Sequence, residues 1–337
     1  MEPNKVFDPD ATGVANGNYF GFEFSISQAD LVLLSVPWDA TVSYRAGTAL
    51  GPEAIKEAST QVEIYDAQYG ELWKRGIATD QAEPFATEYG VQVREKAAKI
   101  ISQIEHGESG DSSILEEVNS ACATLHEKIY RRATELLDSS KIVGLVGGDH
   151  STPLGLVRAL AQRHPGMGIL HIDAHCDLRE AYEGFTYSHA SIMYNILKST
   201  DIVQLTQVAV RDFCSEELAL VNKDNRVTQF TDLQLNQAKF SGRSWSEQCA
   251  QIINTLPKKV YISLDIDGLD PSLCPSTGTP VAGGLSWNET IYLLHKIKES
   301  GRTVVGFDLN EVSPSDDQWD ANVGARILYK LCLLALS

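Results

Sequence analysis

The chain lacks the features that mark secreted, membrane-bound or nucleic-acid-binding proteins. Its six cysteines, at 122, 176, 214, 249, 274 and 332, form no CxxC pair, which removes zinc-ribbon and thioredoxin-like readings. No apolar run approaches the roughly 20 residues that span a bilayer. Basic residues are scarce, 28 against 45 acidic ones, for a net charge of −17. Such a balance repels phosphate backbones, so neither nucleic acid nor a membrane is an expected partner. The opening Met1-Glu2-Pro3-Asn4-Lys5 has no basic-then-apolar signal pattern, and a reducing cytoplasm is the expected compartment. At 337 residues the chain can bury a large core without disulfides.

What is present is a series of short apolar runs rich in Val, Ile and Leu. They are Asp30–Val36, Lys141–Val146, Met167–Ile172, Gln207–Val210, Lys259–Leu264 and Thr303–Phe307. None alternates cleanly, which predicts strands covered on both faces. Helical spacing fills the intervals at Val91–Glu105, Ser113–Leu137, Pro153–Gln162, Glu216–Asn222, Trp245–Asn254, Trp287–Lys298 and Ala325–Leu336. Strands alternating with helices predict one α/β domain around a parallel sheet, set at residues 30–337 behind an N-terminal extension over 1–29. Gly107–Ser113 reads as a loop between two helices.

Polar clusters follow these strands, where parallel sheets bind ligands. Asp173, His175 and Asp177 alternate along one segment and, in extended backbone, would share a face. Asp265 and Asp267 repeat the spacing, and His150 follows a Gly-Gly turn. Carboxylates gathered at buried strand ends repel one another, and cations are the remedy. Two imidazoles and four carboxylates suit a metal pair, with manganese leading and zinc, nickel and cobalt as alternatives. Such a pair acidifies a bound water and so furnishes a nucleophile. Cys176 alternates away from these ligands and is expected to pack. Asp270-Pro271 reads as a turn.

Taken in order, Gly147–Ser151 (GGDHS), Asp173–Asp177 (DAHCD), Ser263–Pro271 (SLDIDGLDP), Ser276–Leu285 (STGTPVAGGL) and Phe307–Pro314 (FDLNEVSP) resemble the ureohydrolase family. Its members include arginases, agmatinases, guanidino-acid hydrolases and formimidoylglutamases, and agmatinase-like members look closest. The resemblance implies a three-layer α/β/α fold with a central, mostly parallel, eight-stranded sheet. It implies two Mn2+ per subunit held by His150, Asp173, His175, Asp177, Asp265 and Asp267. Glu311 matches the glutamate that grips the guanidinium, and His189 the histidine that moves a proton to the leaving amine. The resemblance also implies a homo-oligomer, a trimer or hexamer.

The resemblance implies a small guanidino or amidino substrate, and the loops divide on which. Arg179, in Asp177-Leu178-Arg179, is similar to formimidoylglutamases and would favour a carboxylate-bearing substrate; a partner at the rim, Glu180 or Glu183, is the competing role. His189 speaks for agmatinases, although Ala190 stands where they usually carry Gly and Val281 where many carry Glu. Cys214 replaces the second aspartate with which arginases read an α-amine. Trp319 and Asp320 are candidates for the pocket wall. An agmatinase-like or guanidino-acid ureohydrolase therefore ranks first and formimidoylglutamase second, ahead of arginase and free-guanidine hydrolysis. A metal-dependent deacetylase would need a Tyr and a His-His pair not found in that setting. A non-catalytic relative would be expected to lose a ligand, and none is lost.

Overall fold

The computed structural model describes residues 7–337; Met1–Lys5, read above for a targeting signal, lies outside the described residues. Eight strands form one parallel sheet in the order β2-β1-β3-β8-β7-β4-β5-β6. They are β1 (Leu31–Val36), β2 (Ile77–Thr79), β3 (Ile142–Gly147), β4 (Gly168–Ile172), β5 (Gln204–Val208), β6 (Val227–Phe230), β7 (Lys259–Asp265) and β8 (Thr303–Asn310). The helices are α1 (Gly51–Ser59), α2 (Pro84–Glu105), α3 (Ser112–Asp138), α4 (Leu154–Arg163), α5 (Ile192–Ser199), α6 (Ser215–Lys223), α7 (Asp232–Phe240), α8 (Trp245–Thr255), α9 (Trp287–Glu299) and α10 (Trp319–Ala335).

Two apolar clusters cover the sheet, and neighbouring residues of a strand fall into different ones. Leu31 and Leu33 pack with Ile55 of α1, Ile252 of α8, Leu293 of α9 and Leu328 of α10. Val32 and Leu34 pack with Val93 of α2, Val118 of α3, Leu156 of α4 and Ile196 of α5. This is the three-layer α/β/α arrangement, and it explains the unbroken apolar runs. Tyr19, Phe20 and Phe22, within the stretch expected as an extension, are buried in the first cluster.

The six strands expected from apolar runs are present, with β5 starting and ending earlier than its run suggested. Sequence patterning missed β2 and β6. These are the two edge strands, three and four residues long, and each pairs on one side only. Helices α1, α5 and α7, eight or nine residues each, were also missed.

The chain order places the site. β8 and β7 fill the gap between β3 and β4, so these four central strands end side by side, where the order reverses and ligands bind. Close approach there requires glycine. A Cβ on Gly147 would lie 1.9 Å from Asn310 Oδ1, and one on Gly148 2.1 Å from the Trp38 carbonyl oxygen.

Candidate metal centre

The carboxyl ends of β3, β4, β7 and β8 deliver His150, Asp173, Asp265 and Glu311 to one place. His150 Nδ1 lies 3.0 Å from Asp173 Oδ2, 3.2 Å from Asp265 Oδ2 and 3.4 Å from Asp177 Oδ2. His175 Nδ1 lies 3.2 Å from Asp267 Oδ2 and 3.4 Å from Asp173 Oδ1. Asp173 thus turns one oxygen to each histidine and spans both halves of the cluster. All seven side chains are buried except His175, which is a quarter exposed.

The convergence has a different cause from the one read in the sequence. β4 stops at Ile172, so Asp173, His175 and Asp177 do not alternate on a strand. They stand on a loop whose turn depends on Asp177 at φ 53°. Asp173 Oδ1 accepts the His175 backbone N–H at 2.6 Å. Asp265 and Asp267 are likewise joined by a turn, in which Asp265 Oδ1 accepts the Asp267 N–H at 2.8 Å. Glu311 also has positive φ, 64°. Left-handed backbone at non-glycine residues costs about 1 kcal/mol or more each, and two such sites here mark a geometry over-determined by its surroundings.

The electrostatics ask for cations. Burial, then the charges of Asp173 and Asp265, pushes Asp177 well above the usual carboxylate range. Burial, then Asp267 and Asp173, does the same to Asp265. Burial, then Asp265 and Asp149, does it to Glu311. Asp267 Oδ2 is buried with no hydrogen bond of good geometry among the described residues. The tautomer of His150 fits as well. Ser263 Oγ donates to Asp308 Oδ1 (3.1 Å) and so accepts from His150 Nε2 (2.8 Å), leaving the Nδ1 lone pair aimed at the carboxylates. The donors fall into two groups, His150, Asp173 and Asp177 with His171, and Asp173, His175 and Asp267, each drawn within 4.8 Å. This buried His/Asp cluster is suited to a binuclear metal site.

A cavity of about 490 Å³ opens onto the cluster, lined by His175, Asp177, Arg179, Tyr182, His189, Asp212, Cys214, Glu217 and Val281 among others. His189 stands on its wall, and burial, then the charge of His175, lowers its imidazole to about 4. Glu311 lies deeper. Its Oε1 accepts the His150 backbone N–H at 2.9 Å, and a Cβ on Gly278 would come within 3.3 Å of Oε2. Arg179 is on the wall but engaged, its guanidinium 5.0 Å over the Tyr182 ring and Nε 4.0 Å from Glu217. Glu180 and Glu183, the rim partners considered from sequence, do not hold it.

Trp319 and Asp320 do not line the cavity. Trp319 donates to the Ser272 carbonyl, and buried Asp320 accepts the Ser276 N–H. Cys176 is buried and its sulfur accepts from Gln229. Asp270 caps a turn by accepting the Ser272 N–H. Three contributors escaped sequence reasoning. Glu217 accepts the Leu178 and Cys214 backbone N–H groups at 3.1 and 2.9 Å and so ties two cavity loops together. Tyr182 carries Arg179 and stands edge-on to His189, ring centroids 6.2 Å apart. His171 places Nε2 2.7 Å from Asp173 Oδ2. Glu217 at the third helical position of α6 was the one readable signal, as a capping glutamate.

A model of the arginase family matches residues 29–334. The chain belongs to the arginase family. It is 33% identical over 302 residues to an N(1)-aminopropylagmatine ureohydrolase of Thermus thermophilus, covering 90% of this chain and 89% of that one. It is 29% identical to an agmatinase of Bacillus anthracis, with 88% of each chain covered. The agmatine ureohydrolase structure of Thermoplasma volcanium superposes with a TM-score of 0.72 at 23% identity, covering 98% of this chain and 95% of that one. That likeness shows the fold, an arginase-like α/β sandwich. The ureohydrolase class implied by the motifs is the class these relatives' names give them. No helix among the described residues is long and apolar enough to cross a membrane.

Proposed function

We propose that this arginase-family chain is a manganese-dependent ureohydrolase of agmatinase type, releasing urea and an amine from a guanidino compound with an amine-bearing or neutral tail. The observation that carries this is the cluster of His150, Asp173, His175, Asp177, Asp265 and Asp267 beside Glu311 at the foot of an open cavity. His150, Asp173, Asp177 and Asp265 would hold one ion, and His175, Asp267 and Asp173 the other. When bound, a divalent pair neutralises these carboxylates and acidifies water for attack on the guanidinium carbon.

The chain's own groups do the rest. The Glu311 carboxylate faces the planar guanidinium and is held in place by the His150 N–H and by its own backbone, whose carbonyl accepts from Thr277 Oγ1. Asp177, buried in the cluster at the cavity wall, would help hold one ion and orient the attacking water. His189 is neutral near pH 7, because burial lowers it. Its Nδ1 faces Ser188 Oγ at 3.3 Å, so Nε2 is the atom free to take a proton and pass it to the departing amine.

The tail preference follows from Arg179. Its guanidinium lies over the Tyr182 ring with Nε 4.0 Å from Glu217, so a substrate carboxylate competes there with Glu217, while Asp212 adds negative charge to a wall that also carries Arg45. This ranks agmatine-like amines above guanidino acids and formimidoylglutamate.

The test is urea release by Mn2+-loaded protein from agmatine, N1-aminopropylagmatine, 4-guanidinobutyrate, arginine and guanidine, with formamide release from formimidoylglutamate in parallel. Preference for the first two is expected. Formamide release, or a preference for guanidinobutyrate, would overturn the tail assignment. Silence on all compounds would overturn the activity.

A further inference from the structure

A row of polar side chains crosses five strands at one level. Register pairs Gln229 of β6 with Gln207 of β5, Gln207 with His171 of β4, His171 with Ser263 of β7, and Ser263 with Asp308 of β8. Gln207, His171, Ser263 and Asp308 are wholly buried. Polar groups in the middle of an apolar sheet are costly unless every bond is made. The Ser263 half of the row meets the cluster at His150. The Gln207 half reaches it through His171.

The direction of each bond in that half is forced. Gln207 Nε2 lies 2.7 Å from the Cys176 carbonyl oxygen, which can only accept, so this end of the amide is its NH2. The same nitrogen lies 3.0 Å from His171 Nδ1, so Nδ1 accepts and carries no proton. The Gln207 oxygen accepts from Gln229 Nε2 at 3.2 Å, and that amide also reaches Cys176 Sγ at 3.1 Å. With Nδ1 bare, the His171 proton sits on Nε2 and is donated to Asp173 Oδ2, 2.7 Å away.

We propose that Gln207, secured by Gln229 from the sheet edge, is a positioning residue that holds His171 as the neutral Nε2–H donor fixing Asp173 for metal binding. Asp173 is the carboxylate that spans both halves of the cluster, so a turn of its plane misplaces both ion positions together. The inference rests on the metal-centre reading above.

The test measures Mn2+ affinity by chelator competition and metal analysis in the full chain. Gln207→Leu removes the donor. Gln207→Glu keeps the size but, ionised, only accepts, and so favours a proton on His171 Nδ1 as well and ends its control of the tautomer. Each is expected to weaken Mn2+ binding by about 10–100-fold, the usual scale for groups that orient ligands. His171→Gln gives Asp173 an amide donor that no ring tautomer controls. Adding Gln207→Leu to His171→Gln should therefore cost no more than about twofold further. Equal losses in both backgrounds, or unchanged affinity in both Gln207 variants, would overturn the proposal while leaving the metal centre standing. A wild type that binds no Mn2+ fails the metal-centre reading itself. Should Gln207→Leu not fold, nitrogen-15 histidine NMR of the wild type loaded with Zn2+ decides: a bare Nδ1 and protonated Nε2 on His171 is expected, and the reverse overturns it.

Discussion

Glu311 Oε1 accepts the backbone N–H of His150 at 2.9 Å, so the carboxylate proposed to meet the substrate and the main chain of a cluster histidine form one unit. A glutamine in its place can accept the same bond through its amide oxygen and keep the shape while losing the charge. Glu311→Gln is therefore expected to retain both metal ions. Its kcat/KM for the guanidino substrate should fall on the order of 100-fold, the loss of a charge-assisted contact worth about 2–3 kcal/mol. Metal analysis alongside steady-state kinetics checks this. Near-wild-type kcat/KM would remove Glu311 from the substrate.

Asp265 plays a double part. Its Oδ2 faces His150 and its Oδ1 holds the turn that presents Asp267. In the wild type, Mn2+ at about 100 times its Kd should raise stability by about 2.7 kcal/mol, because the ion binds the folded state. Asp265→Ala should lose most of that rise, show reduced metal content and release no urea. Thermal unfolding with and without Mn2+, next to metal analysis, reads all three. Retained turnover would sink the ligand assignment.

Much of this was legible in the sequence, for identifiable reasons. Runs such as Lys259–Leu264 betray strands buried on both faces, and the Asp and His that end them contradict their surroundings enough to stand out. Val227–Phe230 did not, because an edge strand needs less apolar surface and carries Thr228 and Gln229 in its middle. His171 and Gln207 were hidden for another reason. His171 sits inside an apparent apolar run and Gln207 opens one, and their meaning comes from register across β4, β5 and β6, which no local pattern encodes. At Asp173–Asp177 the side chains converge for a reason other than the one expected, since two-residue spacing suggested a strand and a left-handed turn at Asp177 brings them together. The Arg179 side chain could not be placed until the chain brought Glu217 beside it from 38 positions away.

That placement gives Arg179 a testable neutrality. If Tyr182 and Glu217 engage its charge, the substrate tail does not depend on it. Arg179→Met should change kcat/KM for agmatine by no more than about fivefold, the scale of a partly exposed ion pair. The preference for agmatine over 4-guanidinobutyrate should stay where it was. A large, selective loss of guanidinobutyrate hydrolysis in the variant would instead make Arg179 a carboxylate reader.

A pH effect independent of the metal centre comes from His126 on α3. Its ring is 2% exposed, packs 5.1 Å from Tyr187, and has no hydrogen-bond partner for either nitrogen among the described residues. Burial, then the nearby charge of Arg158, lowers its pKa to about 3, against about 6.5 in the unfolded chain. Between those values the unfolded state binds a proton that the folded state refuses, so stability must fall as pH falls through the window. The loss from this one group is about 2 kcal/mol by pH 5 and levels off near pH 3. His126→Phe keeps an aromatic ring against Tyr187 and removes the titration. Carboxylate and metal effects of acid are common to both proteins, so the difference between them isolates the histidine. Urea unfolding at pH 7 and pH 5 should show the wild type losing about 2 kcal/mol more than the variant. Parallel losses would mean that His126 is protonated, or hydrated, inside the fold.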